Sequence, residues 1–330
     1  SGPGKMTAPT FGLIGIVILF TLIGFGMPIG FAMGLVGFAG FAFLVSLDAA
    51  IVRTGVTTYN LATNYAIGTV PLFLFMAHIL FAAGIGKDLF DFAAKWIGRR
   101  RGGLAMATIG ASAGFASVNA SSLAATATMG LIALPEMRKH NYGLPLASGS
   151  VVAGGTIGSL IPPSGMFIIY GILTETSIGR LFSAGIIPGI LLAIFYMVAI
   201  GIWCRVDPGA GPRGPKYSWR EKLLSFTKIG EVLALFVLVM GGIISGWFTA
   251  TEAGAVGATG AILIALVRRR LTFESAKTAI YATLKTTGMI FGILFGAMVF
   301  NSFVTVTTIP TRVVDLVANG GFSPMVVLLL

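Results

Sequence analysis

No charged residue lies between Arg101 and Glu136. A continuous helix over those 34 residues would rise about 51 Å, whereas the hydrocarbon core of a bilayer is about 30 Å thick. One straight crossing fits poorly. The middle of the run, Ser117-Val118-Asn119-Ala120-Ser121-Ser122, is small and polar. That suits two short helices, near 104–116 and 120–134, meeting at a tip inside the membrane: a re-entrant hairpin over 102–135. A second interruption follows, within 142–174. The glycines and paired prolines of Gly154 to Gly165 stand between apolar flanks and break a helix at the same depth. Backbone bared there must line a cavity or bind something.

The rest of the chain supports a membrane reading. It is 56% hydrophobic and 10% charged, and apolar runs of span length recur without period-two alternation. These features indicate an all-α polytopic membrane protein and not a β-barrel. A net charge of +11 would suggest nucleic acid in a soluble chain, but here the basic residues fall in short loops between spans. Cys204 is the one cysteine, and His78 and His140 stand apart, so no disulfide or Cys/His metal centre is expected. No phosphate-binding glycine signature occurs, and no nucleophile–base set or paired carboxylates appear within the spans. ATP hydrolysis and enzymatic catalysis therefore have no residues to use.

Residues 1–5 read as a cloning remnant ahead of Met6. Helices are expected near 10–25 and 28–46, a polar arm over 48–65, and a span over 66–86. An amphipathic interfacial segment should follow over 87–101, with Leu89, Phe92, Ala93 and Trp96 on one face. After the hairpin and the broken helix, 142–156 and 163–174, come a span over 181–204 and a hydrophilic loop over 205–228. Spans near 229–247 and 251–267 follow, then an interfacial helix to Lys285, a span over 286–306 and an amphipathic piece over 310–318. With the hairpin re-entrant, the loops 87–101, 135–141, 205–228 and 268–285 share one side and hold 18 of the 22 basic residues. The positive-inside rule makes that side cytoplasmic.

A repeat emerges at an offset of 224 residues, pairing Gly30 with Gly254 and Asp91 with Asp315. Its two copies fall on opposite faces, an inverted-topology repeat. The first copy occupies 6–204 and 205–228 is the cytoplasmic loop. Residues 229–330 then supply a linking helix and the start of the second copy, whose hairpin and broken helix are expected beyond Leu330.

Each helix break presents two ends. The carbonyls closing the first hairpin arm, near Ser117 to Asn119, suit a cation; the free N–H groups opening the second arm, near Ser121 and Ser122, suit an anion. The broken helix offers carbonyls around Thr156 to Gly158 and a new N-terminus near Pro162-Pro163. Asn119, Ser121, Ser122, Thr156 and Ser164 are the candidate substrate contacts. Every candidate ligand is a neutral oxygen, which suits sodium as coupling ion, with no organic cofactor. Blander readings stand beside these. Thr126 and Thr128 suit backbone bonding within a helix. The Gly26/Gly30/Gly34 and Gly288/Gly292/Gly296 sets suit packing seams. Glu252, beside Thr249 and Thr251, suits a helix cap. Arg268 to Arg270 suits orientation and lipid contact.

At Pro71 to Ala77, Ser117 to Met129, Gly154 to Ser164 and Thr249 to Ala255 the sequence resembles the large membrane subunit of tripartite ATP-independent periplasmic (TRAP) transporters, of dicarboxylate and sialic-acid type. The likeness runs from about Phe11 to Leu330. It implies an elevator-type carrier of the ion transporter superfamily in the bacterial inner membrane. Such a carrier moves an organic acid with sodium, beside a small membrane subunit and a periplasmic substrate-binding protein. It further implies a sodium site at Ser117, Asn119, Gly158, Ile161 and Pro163, largely through main-chain oxygens. A second site belongs to the portion expected beyond Leu330. The residues themselves leave open a stand-alone sodium–carboxylate symporter, a non-transporting scaffold subunit and a channel.

Overall fold

A computed structural model describes residues 8–117 and 122–319. Asn119, Ser121 and the apolar stretch from Ser323 lie outside the described residues. The described residues form helices joined by short turns, divided between two units, 1–64 with 288–330 and 65–287.

In the first unit, α1 (Ala8–Gly24) and α2 (Ile29–Leu44) are separated by a turn in which Gly26 takes φ 89° and Met27 N–H donates to Leu22 O. A left-handed residue closes a helix end, and glycine adopts it without a Cβ penalty. Ser46 caps α3 (Leu47–Thr63), its Oγ accepting from Ala49 N–H at 3.2 Å, with Asp48 in the first turn. The C-terminal part of α13 (Phe273–Val306) packs on α2, and α14 (Ile309–Asn319) follows it. A Cβ on Gly30 would lie 2.5 Å from Gly292 O, and one on Gly37 would lie 2.6 Å from the Phe300 backbone. Two helix backbones meet there with no side chain between them. Of the glycines read as seams, Gly30, Gly34 and Gly296 lie in this contact, whereas Gly26 serves the turn and Gly288 faces open space. Leu19, Ala32, Val36 and Phe303 form the buried core beside it.

In the second unit, a 3-10 turn at Tyr65–Gly68 leads into α4 (Thr69–Ala82). Then come α5 (Ile85–Ile97), α6 (Gly103–Ala116), α7 (Ser122–Lys139), α8 (Leu144–Thr156), α9 (Gly165–Leu173), α10 (Ile178–Val206), α11 (Trp219–Ile244) and α12 (Ala250–Val267). The start of α13 belongs here too. α4 lies along α12, where Gly254 admits Leu72 and Thr69 Oγ1 meets Thr251 Oγ1 at 2.7 Å. The amphipathic α5 buries Ile85, Leu89, Phe90 and Ala93 against α6 and α11.

Helices α6 and α7 pack on each other, and the same short segment pins the base of both. Gly102 N–H donates to Gly211 O at 2.8 Å, and Gly143 N–H to Ala210 O at 2.9 Å. Across the base, Tyr142 Oη accepts from Leu104 N–H at 3.1 Å. Burial pushes the Tyr142 hydroxyl up to about 12. The flanks of the uncharged run thus lie together.

Several expectations change. The second arm continues through Pro135 to Lys139. The loop expected over 205–228 shortens to 207–218, because Ser218 and Glu221 form a capping box that starts α11 ten residues before the expected 229. The expected interfacial helix to Lys285 and the span after it are one 34-residue helix, α13. Nothing between Phe273 and Val306 is proline, so the helix has no reason to stop at its lysines. Arg268 and Arg270 do not form a free basic cluster. Arg268 reaches Asp88 at 2.6 Å and Glu231 at 2.8 Å, and also bonds Lys228 O. Arg270 reaches Asp88 at 3.0 Å and Ala83 O at 2.9 Å.

Among the described residues five helical stretches are long and apolar enough to cross a membrane: Tyr65–Ala82, Ile178–Val206, Trp219–Ile244, Ala250–Val267 and Phe273–Val306. Their surfaces agree. Ile187, Phe195 and Val237 are 69%, 63% and 66% exposed. Rows of exposed apolar side chains are a liability in water and ordinary in lipid.

Candidate functional site

The first arm of the hairpin ends on Ser117, which closes the helix on itself. Its N–H donates to Ala113 O at 3.2 Å and its Oγ to Gly114 O at 2.6 Å. The second arm opens on Ser122, whose carbonyl accepts from Thr126 Oγ1 at 2.9 Å. Thr126 therefore bonds within its own helix.

The other break is built from glycine and proline. α8 ends at Thr156, Ile157–Ser159 form one 3-10 turn, and the chain crosses a cis Pro162–Pro163 bond before α9 starts at Gly165. Small polar side chains hold the irregular backbone. Ser159 Oγ donates to Thr156 O at 2.7 Å, and the fully buried Ser164 donates its Oγ to Ser159 O at 2.7 Å. Ile157 O accepts from both Leu160 and Ile161 N–H, each at 3.0 Å. These bonds replace the helical ones the break removes, as a low-dielectric setting demands.

The two breaks are neighbours. A Cβ on Gly158 would come within 3.3 Å of Ser122 Oγ and 3.4 Å of Ser122 Cα. The 3-10 turn packs against both hairpin arms and against α8, α9 and α10. Gly158 and Pro163 are buried, and Ile161, 8% exposed, fills the space left by Gly189 on α10. Of the expected residues, the structure therefore brings Ser122 and Gly158 together and places Ser117 at the end of the neighbouring arm. Ser164 is committed to Ser159. Thr156 is exposed and bonded to Ala153 O at 2.7 Å and to Tyr196 Oη at 3.1 Å.

Tyr196 is a partner that sequence reading missed, although a lone tyrosine in the apolar run 181–204 signals a polar contact. Ser112, fully buried against Gly154, was missed as well, and its Oγ has no partner among the described residues. Tyr196→Phe is expected to cost about 1 kcal/mol or less, one neutral hydrogen bond, read from the denaturant midpoint. An unchanged midpoint would show that the bond is not kept in solution. Glu252 is a structural cap: its Oε2 accepts from Thr249 N–H at 2.8 Å and Oγ1 at 2.9 Å.

The paired helices α6 and α7, packed on the interrupted helix α8–α9 among apolar helices of membrane length, define a multi-pass membrane protein. Residues 16–330 match the family model described as Tripartite ATP-independent periplasmic transporter, DctM component. The chain belongs to this family of TRAP transporter large permeases, multi-pass proteins of the bacterial inner membrane. It is 38% identical over 272 residues to the large permease protein of a C4-dicarboxylate TRAP transporter from Pseudomonas aeruginosa, covering 82% of this chain and 63% of that one. It is 33% identical to the large permease protein of a 2,3-diketo-L-gulonate TRAP transporter from Escherichia coli, covering 92% and 70%. To the large permease protein of a sialic acid TRAP transporter from Vibrio cholerae it is 32% identical, covering 98% and 74%.

Proposed function

We propose that this chain is the membrane carrier of a sodium-coupled secondary transporter that takes up an organic acid delivered by a periplasmic substrate-binding protein. The contact of Ser122 with Gly158 carries the reading. It sets the N-terminal end of one half-helix against the turn that ends another, so donors for an anion and oxygens for a cation share one place. Sodium travels as co-substrate, held by Ser117, Asn119, Gly158, Ile161 and Pro163. The chemistry of the donors fits: hydroxyl and main-chain oxygens adjoin the breaks, and these are the hard neutral ligands that sodium takes. Asn119, Ser121, Ser122 and Thr156 face the carboxylate in this reading, with Ser164 holding the turn behind them. The relatives carry C4-dicarboxylates, a diketo-gulonate and sialic acid, all acids of different size. The shared feature is the carboxylate.

A swapped helix pairing supports the inverted repeat. α2 opens the first copy and packs on α13; α12 opens the second and packs on α4. Gly30 against Gly292 corresponds, at the 224-residue offset, to Gly254 against the stretch from Gly68 to Leu72. Alternating access then follows from moving the hairpin and broken helix together, as an elevator, with the small membrane subunit as partner.

In proteoliposomes holding the complete transporter, uptake is expected to need both a sodium gradient and substrate-loaded binding protein. Uptake unchanged when choline replaces sodium would overturn the coupling. Uptake of free substrate without binding protein would instead favour a stand-alone symporter.

A further inference from the structure

Orientation across the membrane accounts for where the basic loops fall, but not for how two of them meet. Within the second unit, Gly102 N–H donates to Gly211 O at 2.8 Å and Gly214 N–H to Gly98 O at 3.0 Å, which draws the stretch after α5 onto the segment 207–218. Between these bonds Arg101 and Arg213, far apart in the chain, form an antiparallel bridge. Residues directly opposite on such a bridge share a face, and like charges placed there repel.

No carboxylate of either segment is free to cancel them. Residues 95–101 and 205–222 carry nine cations and two acids, and both acids are spent on backbone. Asp207 Oδ1 accepts from Gly209 N–H at 3.0 Å, and Glu221 Oε2 from Ser218 N–H at 2.7 Å. Glu136, near the end of the second hairpin arm, pairs with Lys139 at 3.2 Å. Two of the cations are taken up by rings: Lys222 lies 5.0 Å from the centre of Trp219, and Lys95 lies 6.0 Å from that of Tyr217. Among the described residues Arg99, Arg100, Arg101, Arg213, Lys216 and Arg220 enter no ion pair, and all six are exposed.

Their place in the fold says what can neutralise them. α10 and α11 are both of membrane length, so the segment joining them lies at a membrane surface. Val206, the last residue of α10, is 82% exposed, and Trp219, the first of α11, is 70% exposed. Trp203 and Leu223, one turn further in, are exposed as well. Trp96 of α5 braces Trp219 edge to face, the ring centres 6.1 Å apart. Exposed tryptophan at the end of a span suits the headgroup level of a bilayer. A soluble anion would use the cations alone, whereas a lipid uses cations and apolar side chains together.

We infer that Arg101 and Arg213 together hold the phosphate of an anionic phospholipid, in the leaflet at that end of α10. Charge selects the occupant: the surface has cations to spare and no free acid, so a lipid of net negative charge is favoured over a zwitterionic one. The site goes beyond the transport reading and does not rest on it. The sodium and carboxylate positions lie where α6 ends and α7 begins, whereas the arginines lie at the opposite ends of both helices. There the segment that carries Arg213 also bonds Gly102 and, through Ala210 O, Gly143. A phosphate held between the two arginines therefore ties the base of both arms to that leaflet.

The test takes the complete transporter, stripped of lipid in detergent, and returns phosphatidylglycerol, phosphatidylethanolamine or phosphatidylcholine, counting bound lipid by native mass spectrometry. Phosphatidylglycerol is expected to be retained about tenfold over the other two. Arg101→Gln with Arg213→Gln should lower that retention about tenfold. Lys277→Gln with Lys285→Gln removes the same charge from exposed positions on α13 and should leave retention unchanged. Without lipid the arginine double variant should melt no lower than the unsubstituted protein, because a repulsion is gone, and phosphatidylglycerol should raise the midpoint of the unsubstituted protein only. Equal falls in the two double variants would reveal a diffuse charge effect and overturn the site. A lower midpoint for the lipid-free arginine variant would mean that the pair is already satisfied within the protein, with the same consequence. Equal retention of all three lipids, or displacement by an equal concentration of glycerol phosphate, would overturn an anionic lipid as the occupant.

Discussion

Asp88→Ala is expected to lower the unfolding free energy by about 3–5 kcal/mol, the cost of removing one partner from a buried ion pair. The Asp88 side chain is 7% exposed and that of Arg268 11%, and one carboxylate oxygen receives both Arg268 at 2.6 Å and Arg270 at 3.0 Å. Without it the buried Arg268 keeps its desolvation cost with only the half-exposed Glu231, at 2.8 Å, as counter-charge, while Arg270, 47% exposed, turns to water. The pair between Lys139 and Glu136 is the contrast. At 71% and 36% exposure it is screened by water, and Lys139→Ala is expected to cost less than about 1 kcal/mol. Denaturant unfolding in detergent measures both. Replacing the two buried partners, Asp88→Leu with Arg268→Met, should recover most of the loss, because no buried charge then remains and Glu231 and Arg270, 43% and 47% exposed, are solvated. Equal losses for Asp88→Ala and Lys139→Ala would show that the network is not closed in solution.

That network also shows where sequence reading stops. The break after α8 was legible because it rests on local chemistry: the Pro162-Pro163 pair, with no N–H to donate, falls between two apolar stretches. The start of α11 carries an equally local signal, Ser218 followed three residues later by Glu221, inside the stretch expected as a hydrophilic loop. The role of Arg268 had no such signal. Its partner lies 180 residues away, and three adjacent arginines read most simply as a basic loop. Similarly, Thr156 was legible as a polar group at a helix end, but its bond to Tyr196 on α10 depends on packing between helices 40 residues apart. The proline break could be read, but not the contacts that decide which hydroxyls stay free for a ligand.

The other large effect is expected at Gly155, where the hairpin and broken helix touch most closely. A Cβ there would overlap Thr126 Oγ1 and lie 2.9 Å from Thr126 Cβ and 3.2 Å from its Cα. Because backbone as well as side chain stands in the way, Gly155→Ala is expected to cost about 1–3 kcal/mol, the range for overfilled cores. Transport should fall further than stability. The displacement acts on α8 immediately before Thr156, and on α7 one turn after Ser122, so it shifts both sides of the proposed site. Thr126→Ala alone removes only a bond to its own helix, Thr126 Oγ1 to Ser122 O at 2.9 Å, and should be mild. In the double variant the hydroxyl that collides is gone, so the combined loss should be smaller than the sum of the two by at least about 0.5 kcal/mol. Strict additivity in both unfolding and uptake would mean that α7 and α8 are not in contact at this point. The neighbouring approach of Ser122 to Gly158 would then lose its footing too, since the turn that holds Gly158 continues directly from α8.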